Sequence, residues 1–265
     1  MSFASNRAHR VGNTLYKRAF PIYRPLYRAY KAYSDRGERK LLASQLIPGC
    51  VVVDAGANIG IYSQFLARCV GLAGVVHSFE PEPTNFARLH QALSHLPNVR
   101  LNQVAIGDTT GEGMLYISDA LNVDHRAYPT GEHIRETTPI RAVKLDDYFR
   151  PGERVDLIKL DIQGYELHAL RGAERLLQER AELKLLLECW PYGLALAGGS
   201  TTQLHGFLRQ RGFDVYQFHN GVFSDFTAAD DANEQVYFNL FAERSGNHNS
   251  APTPTESKVG SALPN

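Results

Sequence analysis

The sequence predicts a doubly wound α/β domain with a basic N-terminal helical arm. Three observations carry this. Val51-Val52-Val53 runs into Asp54 as a buried parallel strand does, and Gly56 and Gly60 then lead into helical spacing over 61–68. Residues 74–80 repeat the strand pattern one helix later and stop at Glu80 and Pro81. Residues 155–161 and 183–188 are further apolar strands that each end in an acid, Asp161 and Glu188.

Residues 1–20 are polar and basic with weak periodicity. Over 20–33, aromatic residues such as Phe20, Tyr23, Tyr27, Tyr30 and Tyr33 interleave with Arg24, Arg28 and Lys31. Such a stretch can touch membrane headgroups or nucleic acid. It can also dock as a helix whose tyrosines pack on the domain while its cations face water. The docking reading is favoured because Pro21 and Pro25 interrupt a long amphipathic face; weak membrane-surface contact through the arm stays open. A helix over 34–46 then leads through Pro48-Gly49 into the first strand.

Beyond Glu80, residues 83–93 read as a helix with Phe86, Leu89 and Leu93 on one side, and 99–106 as a third strand. Its end faces a ligand pocket in a doubly wound sheet, which makes the Ala105 backbone and Asp108 candidate adenine contacts. Residues 113–118 and 140–144 read as added strands. Between them, 119–138 has no periodicity and concentrates Asp124, His125, Arg126 and Tyr128. A loop of that length is functional or disordered, and it reads as a lid over the acceptor. After Asp161 the chain turns through Gly164 into a helix over 165–177. A helix over 201–211 is capped by Gly212, and 213–218 and 235–241 form a closing antiparallel pair. The expected divisions are an arm at 1–45, a domain at 46–244 and a disordered tail at 245–265, rich in Ser, Pro, Thr, Gly and Asn.

The 265 residues are 43% hydrophobic and 21% charged, ordinary for a globular protein with one large domain. The net charge of zero hides an asymmetry. Residues 1–40 hold ten Lys/Arg against two Asp/Glu, or +8, leaving 18 against 26, or −8, for the rest. Cys50, Cys69 and Cys189 are scattered, without C-x-x-C spacing, which suits a reducing cytoplasmic setting and no zinc site. No stretch nears eighteen apolar residues, so no transmembrane helix is expected.

The acid at the strand end decides the ligand. A dinucleotide fingerprint needs G-x-G-x-x-G, but here Asp54-x-Gly56-x-Asn58-x-Gly60 lacks the third glycine spacing. A carboxylate beside a pyrophosphate is repelled, whereas a ligand with an ammonium group attracts it. S-adenosyl-L-methionine, with an amino-acid head, a sulfonium and a ribose diol, fits better than a nicotinamide dinucleotide. Glu80 lies 26 residues after Asp54, near the distance at which such folds place an acid on a ribose diol. The bland alternative is a buried strand and a surface glutamate stopped by proline.

With these strands placed, the chain resembles the FkbM family of S-adenosylmethionine-dependent O-methyltransferases. The residues that carry the resemblance are Val53-Asp54-Ala55-Gly56-Ala57-Asn58-Ile59-Gly60, Phe79-Glu80-Pro81, Ile158-Lys159-Leu160-Asp161-Ile162-Gln163-Gly164-Tyr165-Glu166 and Leu170-Arg171-Gly172-Ala173. Asn122-x-Asp124-His125-Arg126 is similar to a segment of some members. The resemblance spans about residues 45–220 and implies a Rossmann-like, seven-stranded methyltransferase sheet. It also implies that Asp54, Gly56, Asn58, Gly60 and Glu80 lie at the cofactor. The family usually has an acid where Gln163 stands; glutamine keeps the shape and loses the charge.

Methyl transfer to a hydroxyl is an in-line displacement that needs alignment and help with a proton. Asp161 by position and His125 by its accessible pKa are the base candidates. Asp124, Arg126 and Tyr128 are the expected acceptor contacts. His168 reads as structural. Asp161 and Glu188 offer two oxygen ligands to a divalent metal, but Cys189 and Trp190 are poor partners for magnesium, so a metal is not favoured. The acceptor implied is a hydroxyl of a sugar, glycolipid or natural product. The competing readings are a non-catalytic cofactor-binding module in an assembly and an RNA methyltransferase using the basic arm. No Asn-Pro-Pro-aromatic motif or RNA-binding module supports the latter, so no nucleic-acid partner is expected.

Overall fold

The computed structural model describes residues 12–117, 125–129, 136–219, 221–229 and 232–246. The expectations for Asp124, for most of the 119–138 lid and for the tail beyond 246 therefore lie outside the described residues.

The arm is helical over 12–18 and then forms α1 (Phe20–Ser34) and α2 (Arg36–Gln45). Pro21 sits in the first turn of α1, where no intrahelical donor is needed, and the helix continues past Pro25 at the cost of one N–H. The expected interruption of the helix does not occur. Tyr16 and Tyr23 are buried against Ile59 and Ile61, and Tyr16 donates its hydroxyl to Asn85. The Arg88 guanidinium lies 3.5 Å from the Tyr16 ring centroid and 4.2 Å from that of Phe20. The arm is thus clamped to the domain by aromatic packing and cation–π contacts.

Then follow β1 (Val51–Ala55), α3 (Ile61–Val70), β2 (Val75–Phe79), α4 (Pro83–Leu93) and β3 (Val99–Asn102). A three-stranded insertion comprises β4 (Ala105–Ile106), β5 (Gly111–Ile117) and β6 (Glu136–Val143), in the order β4-β6-β5. The expected single strand over 99–106 is therefore two. β3 pairs with β2, whereas β4 leaves that sheet and pairs in parallel with β6.

After α5 (Leu145–Tyr148) come β7 (Leu157–Leu160), α6 (Glu166–Arg171) and α7 (Glu174–Glu179). The expected helix over 165–177 breaks at Gly172, where a Cβ would lie 1.9 Å from the Gly107 carbonyl oxygen. Next are β8 (Lys184–Cys189), α8 (Pro191–Leu196), α9 (Thr201–Gln210), β9 (Phe213–His219), β10 (Val222–Asp225) and β11 (Phe238–Arg244).

The main sheet runs β10-β9-β11-β8-β7-β1-β2-β3. β3, β2, β1, β7 and β8 are parallel neighbours, and β11 lies antiparallel between β8 and β9. Seven of these strands form the expected sheet. The eighth, β10, extends its edge as a hairpin on β9. Strand alternation divides the core between the two faces: Val53, Ile158, Leu160, Leu185 and Leu187 pack on one, Val52, Leu157, Leu186 and Phe241 on the other. The strand order reverses at β1, between β2 and β7, which is the topological switch point where such sheets bind ligands.

Candidate functional site

A cavity of about 200 Å³ opens at that switch point. Its wall combines the turn after β1 (Gly56, Asn58), Glu80 after β2, Ala105 in β4 and Asp161 after β7. His125, from the insertion, and Tyr27 and Lys31, from α1, complete it. Four of the seven cofactor-site residues expected from the sequence, Gly56, Asn58, Glu80 and Ala105, line this one space, and Gly60 closes the same turn by donating its N–H to the Ala57 carbonyl at 2.9 Å.

Glu80 is 5% exposed, and each carboxylate oxygen accepts one backbone N–H, from Asn58 at 2.8 Å and Glu82 at 3.0 Å. Burial raises its pKa to about 7 despite those two donors. A carboxylate oxygen accepts more than one hydrogen bond, so Glu80 retains acceptor capacity toward the cavity. Asn58 holds a left-handed backbone at φ 49°, its side-chain oxygen accepting from the Ile59 N–H at 2.7 Å. That local bond is what makes asparagine tolerable there.

The glycines serve the protein as well as the space. A Cβ on Gly56 (φ 79°) would lie 1.9 Å from the Asp161 carbonyl oxygen. One on Gly60 (φ 82°) would strike Leu89 and Leu93 of α4 at 2.7–2.8 Å. The glycine turn is therefore required by the close approach of β1 to the β7 loop and of α3 to α4.

Asp54 does not line the cavity. It is fully buried one layer behind, accepting from Ser63 Oγ at 2.6 Å, and Ser63 in turn accepts from Ser78 at 2.9 Å. Strand register sets Asp54 beside Lys159, whose Nζ lies 3.7 Å from Asp54 Oδ1 and 3.3 Å from Asp161 Oδ2. Lys159 is 4% exposed and sits 4.6 Å from the Tyr62 ring centroid. Burial opposes its charge, but the two aspartates outweigh it and hold the pKa above the ordinary lysine value.

Asp161 faces the cavity with 27% of its side chain exposed. Burial pushes its pKa up, yet Lys159 and Lys31 overcome this and hold the carboxyl at about 2. Glu188 is hydrogen-bonded to Asp161 and is driven the other way, well above the carboxylate range, by burial and the Asp161 charge. The two share a proton as a pair. Gln163 (φ 56°) donates its amide to Glu188 Oε2 at 2.9 Å and approaches Asp161 Oδ1 at 3.4 Å. Glu188 also borders a second cavity of about 210 Å³, walled by Asp35, Glu38, Phe218, Tyr237 and Asn239. Among the described residues, no three His, Cys, Asp or Glu side chains are arranged to hold a metal ion.

The segment 125–129 alternates. His125 and Ala127 face the cavity. Arg126 lies 4.5 Å from the Trp190 ring centroid, and Tyr128 donates its hydroxyl to the Gln163 carbonyl at 2.6 Å. Both are nearly buried, at 9% and 5%, and neither lines the cavity. They anchor the segment, because backbone pairing of Arg126 with Tyr116 turns alternate side chains inward. Asp108 is likewise turned away, 2.6 Å from Nδ1 of His168, whose Nε2 lies 2.9 Å from the Ala197 carbonyl. That places His168 in a structural link, as its position on the helix implies.

Sequence reading missed Lys31, Tyr27 and Lys159. Lys159 had a signal, a lone cation inside an otherwise apolar strand. Lys31 had none, since only the fold of the arm brings it to Asp161. Its ammonium is opposed by burial, but Tyr27, Asp161 and Asp35 hold its pKa above the ordinary value, with Asp35 at 2.6 Å.

A doubly wound sheet with an acid-bearing cavity at its switch point is the architecture of a Rossmann-like nucleotide-binding domain. The chain belongs to the FkbM methyltransferase family, whose domain model matches residues 54–215. It is 28% identical over 199 residues to methyltransferase sdnD of Sordaria araneosa, covering 62% of this chain and 73% of that protein. It is 41% identical over 78 residues to 31-O-demethyl-FK506 methyltransferase FkbM of Streptomyces tacrolimicus, covering 29% and 30%. To hexuronic acid methyltransferase AglP of Haloferax volcanii it is 27% identical over 150 residues, covering 54% and 59%. The chain is an S-adenosylmethionine-dependent methyltransferase of this family.

The cavity residues fit that cofactor. Glu80 keeps acceptor capacity for a diol, and Ala105, Ile106 and Leu115 offer an apolar wall to a base.

Proposed function

We propose that this chain methylates a hydroxyl group of a sugar, glycolipid or natural-product acceptor. The observation that carries this is that Glu80 and Asp161, from strands on opposite sides of β1, line one cavity. Two relatives support the acceptor class: the name of one specifies a 31-O position and that of the other a hexuronic acid.

In this reading Glu80 accepts from the ribose diol, the turn at 56–60 takes the amino-acid end, and Ala105 borders the adenine. Asp54 acts from behind by fixing Lys159. The bound cofactor supplies an electrophilic methyl group on a sulfonium. Its transfer to an acceptor oxygen would leave a neutral thioether and a proton on that oxygen for the protein to take. That proton goes to Asp161, the ionised member of the pair, because Glu188 already holds the shared proton. A carboxylate held at about 2 is a weak base for a free hydroxyl, but it suffices for a proton made acidic by methyl transfer. Lys159 and Lys31 keep Asp161 ionised for this role. His125, on the same wall, is the alternative base. The acid-lined second cavity, which meets the first at Glu188, offers hydrogen-bond acceptors to a hydroxyl-rich acceptor.

The test is labelled methyl transfer from S-adenosylmethionine into metabolite extracts, with mass spectrometry of the product. A methyl ether on a polyhydroxylated compound is expected. Label found only on nitrogen, carbon or RNA overturns the reading.

A further inference from the structure

α1 is two-sided. Its inner side buries Tyr23 and carries Tyr27 and Lys31 to the cavity wall. Its outer side exposes Ile22 at 58%, Leu26 at 58%, Tyr30 at 62% and Tyr33 at 72%. With Pro25 and Ala29, also exposed, these residues fall at the i, i+3, i+4, i+7, i+8, i+11 spacing of an apolar helical stripe. Such a stripe normally faces a core, and this one faces outward.

The charges around it are one-signed. Residues 12–34 carry Lys17, Arg18, Arg24, Arg28 and Lys31 and no Asp or Glu. Lys17, Arg18 and Arg28 are exposed, as is Arg36 at the start of α2. The nearest acids are turned inward and engaged. Asp35 is 8% exposed and pairs with Lys31, and Glu38 bonds the Tyr62 hydroxyl and Asn239. An apolar stripe rimmed by cations complements an anionic lipid surface. A second copy of the chain would set the same cations against each other across a two-fold interface.

We infer that the outer face of α1 is a peripheral docking surface for an anionic membrane leaflet. Because Tyr27 and Lys31 line the cavity from the other side of the same helix, docking brings the cavity wall within about one helix diameter, ~10 Å, of the lipid. The inference does not depend on the acceptor class, and vesicle binding is read without methyl transfer.

The experiment is sedimentation of the full chain with vesicles of phosphatidylcholine alone and of phosphatidylcholine mixed with phosphatidylglycerol, at low and high salt. Binding to the anionic vesicles that weakens with salt is expected. Ile22→Ser with Leu26→Ser, and separately Arg18→Glu with Arg28→Glu, should each weaken it about tenfold or more. Both pairs are exposed, so the thermal melt and S-adenosylhomocysteine affinity should hold. Equal or absent binding to both vesicle types overturns the inference, as does anionic-vesicle binding that neither pair of substitutions weakens. A dimer in solution that Ile22→Ser with Leu26→Ser dissolves assigns the stripe to a second copy. Retention of a labelled RNA without vesicle binding assigns it to nucleic acid. Either result also overturns the inference.

Discussion

Gln163 donates its side-chain amide to Glu188 at 2.9 Å while the same nitrogen stands 3.4 Å from Asp161. An acid at this position, as the family resemblance implies for relatives, would place three carboxyl groups in one cluster. The amide instead caps a pair that shares a proton.

Gln163→Glu replaces that donor with a third acceptor. The variant should lose about 1–3 kcal/mol at neutral pH through the lost bond and like-charge repulsion. The introduced carboxyl has a raised folded pKa, so the loss should shrink as the pH falls and the group protonates. Three carboxyls also make a plausible oxygen site for a divalent cation. Thermal melts across pH, with and without magnesium or manganese, check this. A melt unchanged at every pH, and unmoved by either metal, would show that Gln163 does not bridge the pair.

Glu80 makes cofactor binding pH-dependent. Its pKa is raised to about 7 in the free protein. Diol donors favour the carboxylate, so binding draws the proton off and weakens as the pH falls through 7. Between pH 8 and 6 the affinity for S-adenosylhomocysteine should fall about tenfold. Glu80→Gln should be weaker at pH 8 and nearly flat across this range. Calorimetric titration at both pH values decides it, and a wild-type affinity that rises toward pH 6 would remove Glu80 from the ribose.

Asp161→Asn keeps the shape and removes the proton acceptor. If Asp161 receives the proton, single-turnover methyl transfer should fall roughly 10²–10⁴-fold, with cofactor affinity little changed. His125→Ala should then cost much less. Full activity in Asp161→Asn would transfer the role to His125, and full activity in both would leave the proton without a protein acceptor.

Much of this was legible in the sequence because it is local. Runs such as Val52-Val53 and Leu185-Leu186-Leu187 are buried on both faces of a parallel sheet, so they show as unbroken apolar stretches ending at the ligand edge. Glu80, Asn58 and Asp161 follow directly from those strand ends. The place of Asp54 behind the turn, beside Lys159, was not legible because it depends on register with β7. The burial of Arg126 and Tyr128 was not legible, because one strand-like bridge to Tyr116 decides which side chains of 125–128 turn inward. Lys31 was illegible, since an arm 130 residues earlier in the chain meets Asp161 only through aromatic docking on 59–61.

The glycine turn supplies a last prediction, because Gly56 has two competing explanations. As a cofactor contact it would permit close approach of the ligand, and Gly56→Ala would mainly weaken binding. The geometry gives it a different first duty, since a Cβ there meets the Asp161 carbonyl oxygen at 1.9 Å, with φ at 79°. The left-handed backbone alone costs about 1–2 kcal/mol for alanine. Forcing β1 and the β7 loop apart adds about 1–3 kcal/mol. Gly49 is the control: φ is 95° and nothing lies within 4 Å of its Cβ position, so Gly49→Ala should pay only the backbone cost. In chemical denaturation without ligand, Gly56→Ala should therefore be less stable than Gly49→Ala by the clash alone. Equal stabilities, with binding lost only in Gly56→Ala, would return the glycine to the cofactor.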